Sequence, residues 1–150
     1  MKLLLMRCSK RKFNVNNKRA VEVYDGTNFR ILRKFYPIPG LDVRIISAKY
    51  GMIYPETIIS YYNVTIPKLS ESDKEDLSVR VTKDITYLLK YNEYDEIFLD
   101  LGKDYLDIIG IDFSRYNTTK EYGVIGKQSH ALSNFLRSFR GSIKDFEIEF

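Results

Sequence analysis

The sequence has no tryptophan, a single cysteine (Cys8) and a single histidine (His130). These counts exclude an internal disulfide, a cysteine-only zinc site and a multi-histidine metal site. We therefore expect no metal and no cofactor, and a reducing, cytoplasmic setting. No apolar run approaches the roughly 18 residues of a membrane span. The short run before Arg7 soon meets further cations, which argues against a signal peptide, so we expect a soluble protein with no membrane partner.

Positive charge is concentrated in the first third of the chain. Residues 1–50 contain 12 Lys/Arg against 3 Asp/Glu, whereas residues 51–150 contain 12 against 17, and the net charge is +4. This asymmetry predicts either a basic face that attracts phosphate or simply a solvated, lysine-rich surface. A nucleotide or a nucleic acid would be the partner of a basic face.

Apolar runs predict four strands. Residues 2–8 and 95–101 form continuous runs, which are typical of strands buried on both faces. Residues 41–48 form a third, β-branched run that we interpret as the central strand. Residues 145–150 alternate between polar and apolar, as in a half-buried edge strand. That edge could pair with a second copy of the chain to form a homodimer.

Helical spacing predicts the segments between the strands. A helix is expected over residues 16–24, followed by a second one capped by Thr27. The most regular apolar stripe spans residues 77–89, and its helix would begin at a capping box that involves either Ser72 or Ser70. A last helix is expected over residues 132–139.

The order of these elements predicts the fold class. We expect a single α/β domain over residues 1–150, with three α/β/α layers, a mostly parallel central sheet and an antiparallel C-terminal edge strand. Residues 57–66 would form an extended segment across the mouth of the site.

Small, cationic and aromatic residues follow several of the predicted strands. Open α/β folds bind ligands in loops at the carboxyl ends of their strands, and serines there could donate hydrogen bonds. The expected ligand-binding residues are Cys8, Ser9 and Lys10 in the first loop, Ser47, Lys49, Tyr50 and Gly51 in the second, Gly102 and Tyr105 in the third, Gly126 and Lys127 near the last helix, and Tyr62 in the extended segment.

Each of these residues also has a structural alternative. Lys10 and Lys49 would neutralise a phosphate, or simply face solvent. Tyr50 or Tyr62 would stack on a base, or pack beneath the loop. Cys8 could be a nucleophile or a buried filler. The sequence contains no triad, carboxylate pair or metal cage, so it assigns no catalytic residue.

Several of these motifs together resemble those of a family of small uncharacterised microbial proteins with a domain of unknown function. Met52 stands where that family usually has Leu, and Asn63 where it usually has Asp. The resemblance covers most of the chain and implies no established activity. The motifs are Cys8-Ser9-Lys10, Val23-Tyr24-Asp25-Gly26, Ser47-Ala48-Lys49-Tyr50-Gly51, Pro55, Tyr62 and Ile125-Gly126-Lys127.

Two more distant similarities concern parts of these motifs. The segment from Ser47 to Pro55 is similar to the core of the peroxide-stress YaaA proteins. Cys8-Ser9-Lys10 is similar to the opening of the archaeosine synthase core domain, which acts on a deazaguanine base in tRNA. These resemblances imply DNA, tRNA or a modified nucleobase as the ligand.

Two hypotheses for the function follow. In the first, the strand-end loops bind or act on a nucleotide or nucleobase, whether free or within a nucleic acid. In the second, the protein binds DNA or RNA without catalysis through its basic N-terminal third. The second hypothesis predicts a steep dependence of affinity on salt.

Overall fold

The computed structural model describes residues 1–119 and 130–139. The strands in this part of the chain are β1 (Lys2–Arg7), β2 (Lys18–Arg19), β3 (Leu41–Ser47), β4 (Gly51–Ile53), β5 (Ile58–Ile59), β6 (Glu96–Asp100) and β7 (Thr118–Thr119). The helices are α1 (Ala20–Val23), α2 (Thr27–Arg33), α3 (Glu71–Tyr91), α4 (Lys103–Ile108) and α5 (residues 130–139), and 3₁₀ turns lie at Ile66–Lys68 and Phe113–Arg115.

Five strands form one sheet in the order β4-β3-β1-β6-β7. The pairs β1–β3, β1–β6 and β6–β7 are parallel, and only β3–β4 is antiparallel. The predicted α/β class with a mostly parallel sheet is confirmed. The central strand is β1 rather than β3, because the chain adds β3 on one side of β1 and later β6 on the other.

The sheet is covered on both faces. Leu3, Leu4, Leu5 and Met6 are consecutive residues of β1, and all four are 0% exposed. Since successive side chains of a strand point to opposite faces, both faces of β1 lie within the core. On one face, the ring of Phe135 in α5 lies 4.9 Å from that of Phe98 in β6, measured between centroids. The layers therefore follow the predicted α/β/α arrangement.

The helix predicted over residues 16–24 is shorter in the structure, where only α1 is helical. Its first half is extended instead, since Arg19 pairs with Ile58 in the two-stranded sheet of β2 and β5. The backbone N–H of Ala20 then donates to the carbonyl of Thr57, at 2.8 Å. Thr57 is the first residue of the extended segment expected over residues 57–66. Its carbonyl accepts a hydrogen bond from an N–H group that the longer helix would have used internally.

The strand predicted over residues 41–48 ends one residue early, at Ser47. The side-chain oxygen of Ser47 accepts hydrogen bonds from the backbone N–H groups of Lys49 and Tyr50, at 3.2 and 3.0 Å. These bonds turn the chain, and Gly51 adopts a φ of +77°, a conformation that favours glycine. The chain then returns as β4, so that a tight hairpin replaces the expected open loop.

Other expectations differ in smaller ways. The third loop is short, because α4 begins at Lys103, directly after Gly102. No strand is predicted at Thr118–Thr119, yet β7 pairs there with β6. The predicted edge strand over residues 145–150, and with it the proposed dimer contact, lies outside the described residues. None of the helices in the described ranges has the length and hydropathy needed to cross a membrane.

The start of α3 distinguishes between the two capping boxes. The side chain of Ser70 accepts a hydrogen bond from the backbone N–H of Asp73, at 3.1 Å, so Ser70 is the N-cap. We expect Ser70→Ala to lower the free energy of unfolding by about 1 kcal/mol, because one N–H of the first turn loses its acceptor. Ser72→Ala changes a serine within the same turn and should have no such effect. Urea denaturation of both variants measures the difference, and equal losses would contradict the assignment of the cap.

Candidate functional site

A cleft of about 330 Å³ opens at the carboxyl ends of β1 and β6. The chain adds β3 and β6 on opposite sides of β1, so the gap between β1 and β6 is the switch point of the sheet, where open α/β folds bind ligands. The cleft is lined by Arg7, Cys8, Ser9, Lys10 and Arg11 after β1, by Gly26, Thr27, Asn28 and Phe29 at α2, by Thr65, Ile66 and Pro67, by Asp100 at the end of β6, and by Asp104 and Tyr105 in α4.

Three cations border the cleft. Arg7 is the last residue of β1 and is half-buried, whereas Lys10 and Arg11 are exposed. Gly102 allows Arg7 to lie against the backbone, because a Cβ at residue 102 would come within 2.8 Å of the Arg7 Nη1. Gly102 thus lies against Arg7, but it is not itself among the residues that line the cleft.

A buried carboxyl group lies among these cations. Asp100 is only 2% exposed, and its Oδ1 accepts a hydrogen bond from the Nδ2 of Asn28, at 2.7 Å. Its other oxygen, Oδ2, is buried and has no hydrogen-bond partner within the described part of the chain. Burial raises the pKa of Asp100, while the hydrogen bond from Asn28 and the charge of Arg7 act in the opposite direction.

Cys8 and Tyr105 meet at one wall of the cleft. The Sγ of Cys8 lies 3.1 Å from the hydroxyl oxygen of Tyr105, and both side chains are buried. Burial raises the pKa of Tyr105, so its hydroxyl remains protonated near neutral pH. Nearby, the Lys12 ammonium lies 4.4 Å from the centroid of the Tyr62 ring, and its pKa is lowered, mainly by burial.

Asp25 joins the first loop to α2. Its carboxylate receives two hydrogen bonds from Arg30, at 3.2 and 3.0 Å, and one from Arg33, at 2.8 Å, and it also pairs with Arg11 at 3.4 Å. The backbone N–H of Asp25 donates to the carbonyl of Arg11. The hydrogen bonds from Arg30 are the largest of the effects that lower the pKa of Asp25. This cluster therefore fixes the position of the loop that borders the cleft.

Ser47 and Tyr62 belong to a buried chain of hydroxyl groups behind the site. The Tyr62 hydroxyl lies 2.8 Å from the Ser47 Oγ and 2.6 Å from the Tyr24 hydroxyl. Ser47 is 0% and Tyr62 5% exposed, and burial raises the pKa of both tyrosines. Neither residue lines the cleft. Their contacts are those of a packed support, and the Tyr62 ring is enclosed rather than open to a base.

The second predicted loop lies apart from the cleft. Lys49 and Tyr50 follow β3, which is not at the switch point, and the Lys49 ammonium lies 5.1 Å from the centroid of the Tyr50 ring. Tyr50 in turn packs edge-to-face on Tyr62, with 5.4 Å between ring centroids. The structure thus brings Cys8, Ser9, Lys10 and Tyr105 together in the cleft, but not Ser47, Lys49, Tyr50, Gly51 or Tyr62. Gly126 and Lys127 lie outside the described residues.

Two charged residues that line the cleft are not among the predicted site residues. Arg7 and Asp100 each end an otherwise apolar strand, and a charge at the end of a buried run is the signal that could have identified them. Asn28 has no such signal, since it looks like an ordinary residue of an amphipathic helix. Thr27 is predicted above only as the cap of α2, whereas the structure places the N-cap at Gly26. Among residues 1–119 and 130–139, no group of three or more His, Cys, Asp or Glu side chains could hold a metal ion.

The fold and the cleft define the class of protein: an α/β domain with a polar cleft at the switch point of a mostly parallel sheet. Residues 3–134 match the model of a Family of unknown function (DUF6884), and the chain belongs to that family. The resemblance to a family of unknown function is thereby confirmed. A search of curated proteins finds no match to the chain.

The buried hydroxyl chain should contribute to stability. We expect Tyr62→Phe to lower the free energy of unfolding by about 1–3 kcal/mol, because the buried hydroxyl of Tyr24 loses a partner. Tyr61→Phe removes a hydroxyl from the neighbouring, exposed tyrosine and should change the stability by no more than about 0.5 kcal/mol. Urea denaturation at pH 7 compares the two variants. Equal stabilities would show that the buried hydroxyl groups contribute nothing.

Asp100 should leave a signature in the pH dependence of stability. Its pKa is raised in the folded state, so the folded protein holds this proton more tightly than the unfolded chain does. Stability contributed by the protonated carboxyl is present below the unfolded pKa of about 4 and is lost as the pH rises through the folded pKa. Asp100→Asn cannot titrate. The melting temperature of the variant relative to wild type should therefore rise with pH, and parallel melting curves from pH 4 to 8 would contradict the expectation.

Proposed function

We propose that the cleft between β1 and β6 binds a nucleotide or a nucleobase, either free or within a nucleic acid. The observation that carries this proposal is the pairing of a cationic border with a buried acceptor at the switch point of the sheet. Arg7 and Lys10 supply charge for a phosphate, whereas Arg11 is already paired with Asp25. Asp100 supplies an acceptor for a base or sugar. The volume of about 330 Å³ lies at the lower end of the range for small-molecule sites, about 300–1,000 Å³, and suits a mononucleotide.

The distant similarities to the YaaA proteins and to the archaeosine synthase core belong to this proposal. They would make the ligand a base within DNA or tRNA, or a modified nucleobase. Cys8 is the only cysteine of the chain and lies in the cleft as a free thiol. A reducing, cytoplasmic setting would keep this thiol free, and that setting is part of the same proposal.

The alternative remains a non-catalytic DNA- or RNA-binding protein that uses its basic N-terminal third. Within the described part of the chain, six of the twelve basic residues in that third form ion pairs with carboxylates, which weakens the electrostatic attraction that this hypothesis requires. The six are Lys2, Arg11, Arg19, Arg30, Arg33 and Arg44.

Thermal unfolding in the presence of candidate ligands tests the proposal. Nucleobases, nucleosides, nucleoside monophosphates and short RNA and DNA are added at low and at high salt. A ligand at a hundred times its dissociation constant stabilises a protein by about 2.7 kcal/mol, which at this chain length raises the melting temperature by about 5–10 °C. We expect at least one mononucleotide to do so. A response to polymers alone, lost at high salt, would favour the alternative.

Two lysine variants show where the ligand binds. Lys10→Ala removes a cation from the border of the cleft and should weaken the binding of a nucleotide by about 10- to 100-fold, while leaving that of the matching nucleoside unchanged, since the loss concerns the phosphate. Lys49→Ala removes a cation outside the cleft and serves as the control. The reverse pattern, with binding lost in Lys49→Ala alone, would contradict the proposed cleft and place the ligand beside the β3–β4 hairpin.

A further inference from the structure

Asp100 is the residue of the cleft whose hydrogen-bonding capacity is left incomplete. Its side chain is 2% exposed and lines the cleft. Asn28 satisfies Oδ1, but no described residue donates to Oδ2. A carboxylate can accept about four hydrogen bonds, and buried polar atoms in folded proteins nearly always have at least one partner. This atom therefore requires an explanation that the contacts of the described residues do not supply.

The cations around Asp100 do not supply that explanation. Lys10 and Arg11 are exposed, and Arg11 already pairs with Asp25. Arg7 is near enough for its charge to act on Asp100, yet none of its nitrogens forms a hydrogen bond or an ion pair with Oδ2, which has no partner in the described ranges. A protein designed only for stability would replace such a carboxyl by an amide or an apolar group.

The two ends of the cleft differ in the groups that they offer to a ligand. The exposed border presents cations, which attract an anionic group. The buried end presents the carboxyl of Asp100, whose unpartnered oxygen can accept from an N–H or O–H group. A nucleotide has both kinds of group, since its phosphate lies at one end and its donors lie on the base and the ribose.

We propose that Asp100 selects the ligand of this cleft by accepting a hydrogen bond from an N–H or O–H group, so that the donor end of the ligand is buried and its phosphate remains at the cationic border. This inference rests on the proposed function and adds the chemistry of recognition to it. The donor is either an exocyclic amine of the base or a ribose hydroxyl. A ligand that offers only acceptors at that end would leave two buried acceptors facing one another.

Matched nucleotides differing by one donor test the inference in the wild-type protein. Isothermal titration compares GMP with IMP and AMP with purine ribonucleotide, which differ by the exocyclic amine, and each ribonucleotide with its 2′-deoxy form. We expect the loss of one of these donors to weaken binding on the order of 10- to 100-fold. The pair that shows this loss identifies whether the base or the ribose provides the donor. Equal affinities within every pair would overturn the inference.

Asp100→Asn and Asp104→Asn then locate the effect. Asp100→Asn keeps the shape of the side chain but replaces an acceptor by an amide, and should reduce the preference for the donor-bearing nucleotide to nearly onefold. Asp104 is an exposed carboxyl of the same cleft, and Asp104→Asn should keep the preference. Circular dichroism confirms that both variants are folded. If Asp100→Asn does not fold, the comparison of matched nucleotides with the wild-type protein tests the inference by itself.

The outcomes separate this inference from the proposed function. In one outcome nucleotides bind and Lys10→Ala weakens their binding, but Asp100→Asn retains the wild-type preference. The inference is then wrong and the proposed function stands. If no nucleotide binds the wild-type protein, both are wrong.

Discussion

The burial of β1 on both faces is the constraint on which the rest of the structure depends. Four consecutive residues, Leu3 to Met6, are fully enclosed, and β6 beside them is buried in the same way from Ile97 onwards. A charged side chain within these strands would lose its hydration without compensation. Charges can therefore appear only where the strands end, and Arg7 and Asp100 appear there. The hydrophobic core thus determines where the polar cleft lies.

Asp25 accounts for much of the charge asymmetry of the sequence. Three arginines that contribute to the excess of positive charge in residues 1–50 converge on this one buried carboxylate. Their ion pairs with Asp25 hold α2 against the loop after β1, so these three charges are neutralised within the molecule. A count along the sequence cannot separate such internal cations from those that face a ligand, because the partners are brought together only by the fold. Lys10, by contrast, is exposed at the cleft and forms no ion pair among the described residues.

The sequence was a good guide to the elements and a poor one to their arrangement. Continuous apolar runs located β1, β3 and β6, and helical spacing located α3, since burial imposes these patterns locally. Strand order is not local. The loop after β3 has the composition of a site, but β3 lies away from the switch point, and this could not be known before the order β3-β1-β6 was seen. The failed helix over residues 16–24 has a similar cause, since Thr57 is distant in sequence and takes the hydrogen bond of Ala20.

Buried polar groups in this protein are of two kinds, those whose hydrogen bonding is complete and those whose hydrogen bonding is not. The hydroxyls of Ser47, Tyr62 and Tyr24 satisfy one another, so the chain that they form gains nothing from a ligand and serves to hold the β3 turn. Asp100 is equally buried and lines the cleft, but one of its oxygens has no partner among the described residues. A buried group with complete hydrogen bonding stabilises the fold that contains it, whereas one with incomplete hydrogen bonding destabilises the free protein. Any ligand that supplies the missing donor recovers part of that cost, and this recovery favours such a ligand over others of the same size and charge.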